Sequence, residues 1–210
     1  NVQLQSSFMQ ADLVYGYDED WSYVGIAPGW EYSSTDYYFR EREESTIQAK
    51  LSSKANKSNT WVIGFYLADK IEDLTREYTW LTTPFESQVD RVDSALFGQY
   101  KHALSDEQWI TTSVRLASQT LDYDDSNLIN EDLEHNDWGA EISYHQQVGD
   151  SSMLYLSLLR SYKMGGVNGQ ALGKIDDEDL VEFRQDLLDN AIFDAESLIG
   201  IEFGIKGVNQ

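Results

Sequence analysis

The chain has 210 residues, a formal net charge of −22 and no cysteine. The negative charge argues against nucleic-acid binding, which needs clustered Lys and Arg. The lack of cysteine excludes disulfides and thiolate metal sites. Hydrophobic residues make up 41% of the chain and aromatic residues 13%, which is enough for a packed structure. No run of 18 apolar residues is present, so the sequence predicts no transmembrane helix.

Alternating apolar and polar residues dominate the chain. Side chains of a β-strand point to its two faces in turn, so a period of two predicts a strand with one apolar face. The segments with this pattern are, in chain order, STIQAKLSS (45–53), ALFGQYKHAL (95–104), WITTSVRLAS (109–118), WGAEISYHQ (138–146) and SLIGIEFGIKG (197–207). WVIGFYLAD (61–69) is apolar on both faces and is also predicted as a strand.

Connections of two lengths join the predicted strands. Short polar ones suit tight hairpins and are KANKSN (54–59), SDEQ (105–108) and VGDSS (148–152). Long ones are predicted near 69–92, 121–136 and 164–195. Tight turns at one edge of a sheet and long loops at the other are typical of an outer-membrane barrel. Within the last loop, DDEDLVEFRQDLLDN (176–190) begins with carboxylates and then repeats apolar residues at helical spacing, which predicts a short helix.

No catalytic motif or metal-ligand spacing is found. His102, His135 and His145 have no spacing typical of zinc ligands, and the glycines of KMGGVNGQALGK (163–174) lack the P-loop pattern. The acidic segment LDYDDSNLINEDLEHND (121–137) is rich in the hard oxygen ligands that calcium prefers, but it does not match the EF-hand template. We therefore expect no catalytic residues and no metal site, with a solvated acidic loop favoured over calcium binding.

Aromatic residues are concentrated in YGYDEDWSYVGIAPGWEYSSTDYYF (15–39). Two interpretations stay open. An aromatic girdle or local packing is favoured, because Tyr and Trp prefer interfaces with one apolar and one wet side. A ligand platform that uses ring stacking and hydroxyl groups is the alternative. Its candidate ligand-binding residues are Trp21, Tyr23, Trp30, Tyr32, Tyr37 and Tyr38.

The segment RSYKMGGVNG (160–169) resembles the "SRGYKAGGFN" segment of TonB-dependent outer-membrane receptors. Three further landmarks follow the order of that family. STIQAKLSS resembles its "QELRLSS" strand, WVIGFYLADKIEDLTREYTWL (61–81) its "WVAGLYYFDE" strand and loop, and FDAESLIGIEFGIKG (193–207) its "FDPETLWNYEVGLKG" strand. The chain departs from the family pattern at Ser161 (usually Gly), Met164 (usually Ala) and Ala195 (usually Pro).

This resemblance implies an all-β antiparallel meander of long hairpins that forms a partial, open section of a transmembrane β-barrel, with a short helix in the last long loop. Residues 1–210 would form one partial barrel domain, and we expect it to lack the plug domain, the TonB box and the C-terminal strand of the barrel. Its open edges are expected to allow another copy to pair with the isolated section. Outside the membrane, the isolated section is expected to be capable of staying soluble.

The function that the resemblance implies is transport without catalysis and without a cofactor. The parent protein would take up a small ligand, such as a ferric siderophore, across the outer membrane of a Gram-negative bacterium. Its implied partners are outer-membrane lipid and the TonB system, the latter reached through the plug region. The alternative from another class is a soluble secreted β-sandwich that binds glycans through aromatic loops, with calcium as a possible addition.

Overall fold

The computed structural model describes residues 1–20, 23, 29, 33–54, 59–149, 151–175 and 178–207. Eight strands form one antiparallel sheet in the order β1-β2-β3-β4-β5-β6-β7-β10. Their bounds are Val2–Asp18 (β1), Thr35–Ser52 (β2), Asn59–Tyr78 (β3), Phe85–Ala103 (β4), Gln108–Asp125 (β5), Asn130–Val148 (β6), Ser152–Lys163 (β7) and Glu196–Gly207 (β10). Each strand pairs with the strands next to it in this order, so the sheet is a meander with open edges at β1 and β10. The predicted fold class is confirmed.

The connection between β7 and β10 contains the remaining elements. Two short strands, Gly166–Val167 (β8) and Ile192–Phe193 (β9), pair with each other at its base. Between them lie an α-helix at Gly169–Leu172 (α1), a 3-10 helix at Glu178–Phe183 and an α-helix at Arg184–Asp189 (α2). The short helix predicted in this loop is confirmed, although only its second half is α-helical. No helix of the described residues is long and apolar enough to cross a membrane.

The connections at one end of the sheet, which we call the turn end, are all short. The connections 104–107 and 149–151 are there, as is 53–58, of which residues 55–58 lie outside the described part. The opposite end, the loop end, holds the connections 19–34, 79–84, 126–129 and 164–195. The expected separation is present only in part, because the short connections 79–84 and 126–129 share the loop end with the two longest, 19–34 and 164–195.

Two of the three predicted long connections are wrong. Residues 69–78 continue β3, residues 85–92 begin β4, and most of 121–136 belongs to β5 and β6. Apolar and polar residues still alternate in these segments, but the apolar side chains now point to the other face of the sheet. Apolar Leu121 and Tyr123 are buried, and acidic Asp122 and Asp124 next to them are exposed. A dense run of carboxylates therefore marks the solvent side of a strand here. The first strand, β1, was also not predicted.

One face of the sheet is apolar over its turn-end half. Residues paired across neighbouring strands share a face, and one such row crosses six strands without a charged residue: Leu4, Ala49, Phe65, Leu96, Leu116 and Trp138. The large side chains of this row are well exposed, with Leu4 at 73% and Leu96 at 58%. The rows on its turn-end side include Ile63, Val114, Leu158 and Ile201. We call this face the outer face.

The loop-end half of the outer face is acidic. One row places Asp90, Asp122 and Asp132 side by side and includes Glu43 beyond Ile71, and the next row adds Glu41, Asp73 and Asp124. Partial burial and the charges of Asp73 and Asp122 raise the pKa of Asp90 above the ordinary value. Among the described strand residues, Arg160 is the only cation on this face. The outer face thus changes from apolar to anionic along each strand.

The opposite, inner face is covered at its loop end by the long connection 164–195. Leu172, Ile175 and Ala191 of this connection form a buried cluster with Leu121 and Tyr123 of β5. The side-chain amide of Asn127 donates to the carbonyl of Leu172 at 3.0 Å. Elsewhere the sheet is a single layer. Among the described residues, the buried apolar cluster lies where the connection folds back onto the sheet.

Candidate functional site

Two clefts open between the inner face and the long connection. The first has a volume of about 800 Å³ and the second about 710 Å³. Strands β2, β3 and β4 form one wall of both clefts, and Val167 and Phe193 of the connection reach both from the other side. Both clefts lie in the loop-end half of the sheet, away from the apolar rows.

Tyr17 and Tyr38 line the first cleft at its β1–β2 side and contact a further tyrosine, Tyr15. The rings of Tyr15 and Tyr38 stack with their centroids 4.8 Å apart and an interplanar angle of 2°. Tyr17 meets both rings edge-on, at 6.0 and 6.3 Å. The guanidinium of Arg76 lies 5.5 Å from the Tyr38 ring and 4.8 Å from the Tyr78 ring. These contacts fix aromatic faces and hydroxyl groups on a rigid strand pair.

Asp36 organises this tyrosine group. Arg76 donates two hydrogen bonds to the Asp36 carboxylate, at 2.8 and 2.7 Å, and Asp36 is only 3% exposed. The Tyr38 hydroxyl donates to the same carboxylate at 3.0 Å. Burial raises the pKa of Tyr38 to about 12, and the hydrogen bond to Asp36 adds to this shift while Arg76 opposes it. Tyr38 is therefore a hydrogen-bond donor, not an anion, at physiological pH.

A second charged network joins the two clefts. Glu72 accepts hydrogen bonds from both Arg40 and Arg42, one on each of its carboxylate oxygens. Further along the inner face, Asp93 lies 3.4 Å from the Lys70 ammonium and 3.3 Å from the Arg91 guanidinium. Each of these cations thus has a carboxylate partner within salt-bridge distance.

The structure divides the predicted ligand-binding residues. Tyr38 faces the first cleft, whereas the register places Tyr37 on the outer face, 44% exposed and 6.4 Å from the Phe39 ring. Consecutive strand residues point to opposite faces, so the two tyrosines do not share a site. Tyr23 is 71% exposed, and Trp21, Trp30 and Tyr32 lie outside the described residues. A ligand role for this set stays a prediction.

The acidic segment 121–137, predicted as a solvated loop with calcium binding as the less favoured alternative, is mostly strand, and its carboxylates do not converge. Within the described ranges, no group of three or more His, Asp or Glu side chains is arranged to hold a metal ion. His102 contacts Asn59 through Nδ1 at 2.6 Å, and His145 contacts Ser143 through Nε2 at 3.0 Å. Both histidines therefore have local polar partners.

The charged residues of the clefts were missed by sequence reasoning. A signal was present, since Arg40 and Arg42 are two residues apart, as are Lys70 and Glu72. A two-residue spacing puts each pair on one face of its strand. Only the register between β2 and β3, which sets Arg42 opposite Glu72, shows that the pairs meet.

Comparison with known proteins finds similarity in structure only. No protein-family model matches the chain, and no curated protein matches its sequence. The solved structure of the ferric yersiniabactin uptake receptor FyuA from Yersinia pestis is similar with a TM-score of 0.67 and 17% identity, over 99% of this chain and 31% of that one. The copper transporter OprC is similar with a TM-score of 0.64 and 10% identity, over 100% of this chain and 34% of that one.

The chain spans about a third of the length of these two proteins. Both are described as an uptake receptor or a transporter, and neither as an enzyme. The similarity extends along the whole meander, including the strands that carry the apolar outer rows. The chain therefore has the fold of a section of these two proteins, an open antiparallel meander sheet.

Proposed function

We propose that the chain is part of the wall of a TonB-dependent outer-membrane transporter, and that its inner clefts contact the small ligand that is taken up. The observation that carries this proposal is the outer face. Its turn-end half is apolar, and its loop-end half is acidic. A large exposed apolar surface of this kind marks a contact with lipid or protein. Its placement on a meander sheet is typical of the lipid-facing band of a barrel.

The dimensions of the sheet support a membrane location. On β5, outward apolar positions run from Ile110 to Leu116, about 20 Å along the strand at roughly 3.3 Å per residue. A membrane-crossing strand needs about 9–11 residues, whereas β1 to β6 have 17 to 20. The remainder, with its outward carboxylates, would therefore extend into water beyond the bilayer.

The orientation follows from the connections. In outer-membrane barrels, short turns face the periplasm and longer loops face the outside. The turn end, at the apolar rows, would then be periplasmic, and the loop end, with both clefts, extracellular. An incoming ligand would meet Tyr17, Tyr38 and the long connection before it reached the level of the bilayer.

The partners follow from the unpaired edges and from the family likeness. A bilayer leaves no unpaired backbone groups in its core, so β1 and β10 would pair with further strands of a closed barrel. The TonB system would supply the energy for uptake, and the imported ligand would be an iron–siderophore complex or a related metal chelate. Since one similar structure is a copper transporter, copper chelates belong in any ligand screen.

The test is uptake by cells that express the complete receptor carrying this segment. Radiolabelled iron and copper chelates would be supplied with and without a protonophore, and with an intact or disrupted TonB system. We expect one chelate to accumulate only with the receptor and an active TonB system. Recovery of the protein from the soluble fraction, or an absence of TonB-dependent uptake across the panel, would contradict the proposal.

A further inference from the structure

Most of the charged side chains that line the two clefts are paired with a side chain of opposite charge. The first cleft is lined by Arg40, Arg76 and Lys174 together with Glu19, Asp36 and Glu72. The second is lined by Arg42, Lys70, Arg91 and Lys163 together with Glu44, Glu72 and Asp93, while the register directs Glu43 to the outer face. Six of these seven cations lie within salt-bridge distance of a carboxylate.

The arginines of the clefts are already engaged by protein carboxylates. The bidentate pair of Arg76 with the buried Asp36 uses the geometry that a ligand carboxylate or phosphate would need. An anionic ligand that displaced Asp36 would leave this carboxylate buried without its partner, which is costly. Arg40 and Arg42 each donate to one oxygen of the Glu72 carboxylate, so both oxygens are occupied.

The net field of the chain also disfavours an anionic ligand. The formal charge is −22, and the outer face beside the clefts is lined by carboxylates at Asp73, Asp90, Asp122 and Asp124. Repulsion from this surface would slow the approach of a polyanion and lower its local concentration. Strongly anionic chelates would therefore be disfavoured both on approach and in the cleft.

The clefts do offer neutral contacts. The rings of Tyr17, Tyr38 and Phe193 present flat surfaces, and Tyr38 is stacked on Tyr15 behind it. Asn168 and the backbone of the long connection add polar groups on the opposite side. Such a lining suits a ligand with apolar flanks and dispersed hydrogen-bonding groups.

We infer that the clefts select a metal chelate of zero net charge, of the hydroxamate kind, over a multiply anionic chelate such as a tris-catecholate. This inference rests on the proposed function and specifies the ligand class of the same site. It predicts a charge preference that changes more when a carboxylate of the clefts is removed than when a carboxylate elsewhere on the chain is removed.

The experiment measures binding of two iron(III) chelates to the complete receptor in detergent, by competition at one ionic strength. One is a neutral tris-hydroxamate complex, and the other is a triply anionic tris-catecholate complex of similar size. We expect the neutral chelate to bind at least about tenfold more tightly, a difference of one decade in Kd. Equal binding, or tighter binding of the anionic chelate, would overturn the inference.

Variants then test which carboxylates set the preference for the neutral chelate. Asp36→Asn frees Arg76, so we expect the anionic chelate to gain roughly three- to tenfold in affinity, in line with one added charge at a partly exposed site. Glu72→Gln is a second route to the same change if Asp36→Asn fails to fold. Glu141→Gln removes a carboxylate from the same face outside both clefts and is the matched control. If Glu141→Gln shifts the preference as much as the cleft variants do, the inference is wrong.

The two proposals fail in different ways. If no chelate of either charge is taken up with TonB dependence, the proposed transport function is wrong. If uptake occurs but the anionic chelate is preferred, transport stands and only the charge selectivity is refuted.

Discussion

The substitution Leu172→Ala tests whether the long connection is held on the inner face by its buried cluster. Leu172 is 0% exposed and packs with Ile175, Leu121 and Tyr123. A buried Leu→Ala change costs about 2.7–5 kcal/mol, depending on how far the site collapses. We take about 3 kcal/mol, because a connection at the surface can relax partly. At 1.4 kcal/mol per decade, local opening should become roughly a hundredfold more frequent.

Hydrogen exchange reports this opening directly. The amides to follow are those bonded within the connection, such as the N–H of Gly173 to the carbonyl of Gly169 at 2.9 Å and the N–H of Ile175 to the carbonyl of Leu172 at 3.2 Å. Val181→Ala is the matched control, because Val181 lies in the same connection but is 65% exposed, and surface changes alter stability by about 0.5 kcal/mol or less. Unchanged protection in Leu172→Ala, or an equal loss in Val181→Ala, would refute the buried-cluster account.

Three further changes test other parts of the structure. Gly165→Ala places a Cβ 2.5 Å from the carbonyl oxygen of Phe193, so we expect the base of the long connection to shift and become sensitive to protease; unchanged proteolysis would contradict the close approach. Asp90→Asn should raise the urea midpoint at pH 7 but not at pH 3. The pKa of Asp90 is raised in the folded state. Wild-type stability therefore increases as pH falls from this folded pKa towards the unfolded value of about 3.9, where the cost of holding a charged carboxylate at this site has mostly gone. An equal gain at both pH values would contradict this sign. Leu116→Arg on the outer face should reduce membrane insertion by about 2–4 kcal/mol, as for Arg near the bilayer midplane, whereas Ser113→Arg on the inner face should insert normally. Similar insertion of both variants would mean that the faces are misassigned.

Most of the strands were predictable, because a period of two needs only local sequence. The segments around Ile47, Leu96, Val114, Ile142 and Ile201 were each predicted as strands and form neighbouring parts of one sheet. The order of the family-like segments also implied a section of a receptor barrel, and the structural similarity agrees with this fold.

The candidate site was much less predictable. The aromatic density of residues 15–39 drew attention to Tyr37 and Tyr38 together, yet strand geometry sends their side chains to opposite faces. The carboxylate that organises the tyrosine group, Asp36, contacts Arg76, forty residues away. Such a pairing depends on the register of two strands, which local composition does not specify.

The sequence by itself determined the turn-end parts of most strands, their meander order and the position of the longest connection, since these follow from side-chain alternation and turn residues over short distances. Only the tertiary structure decided where the acidic segments lie and what the long connection does. Leu121 and Tyr123 face inward because Leu172 and Ile175 cover them, and Asp122 and Asp124 therefore face water. The physical reason is that a strand residue has a definite environment only once the element packed on its face is known.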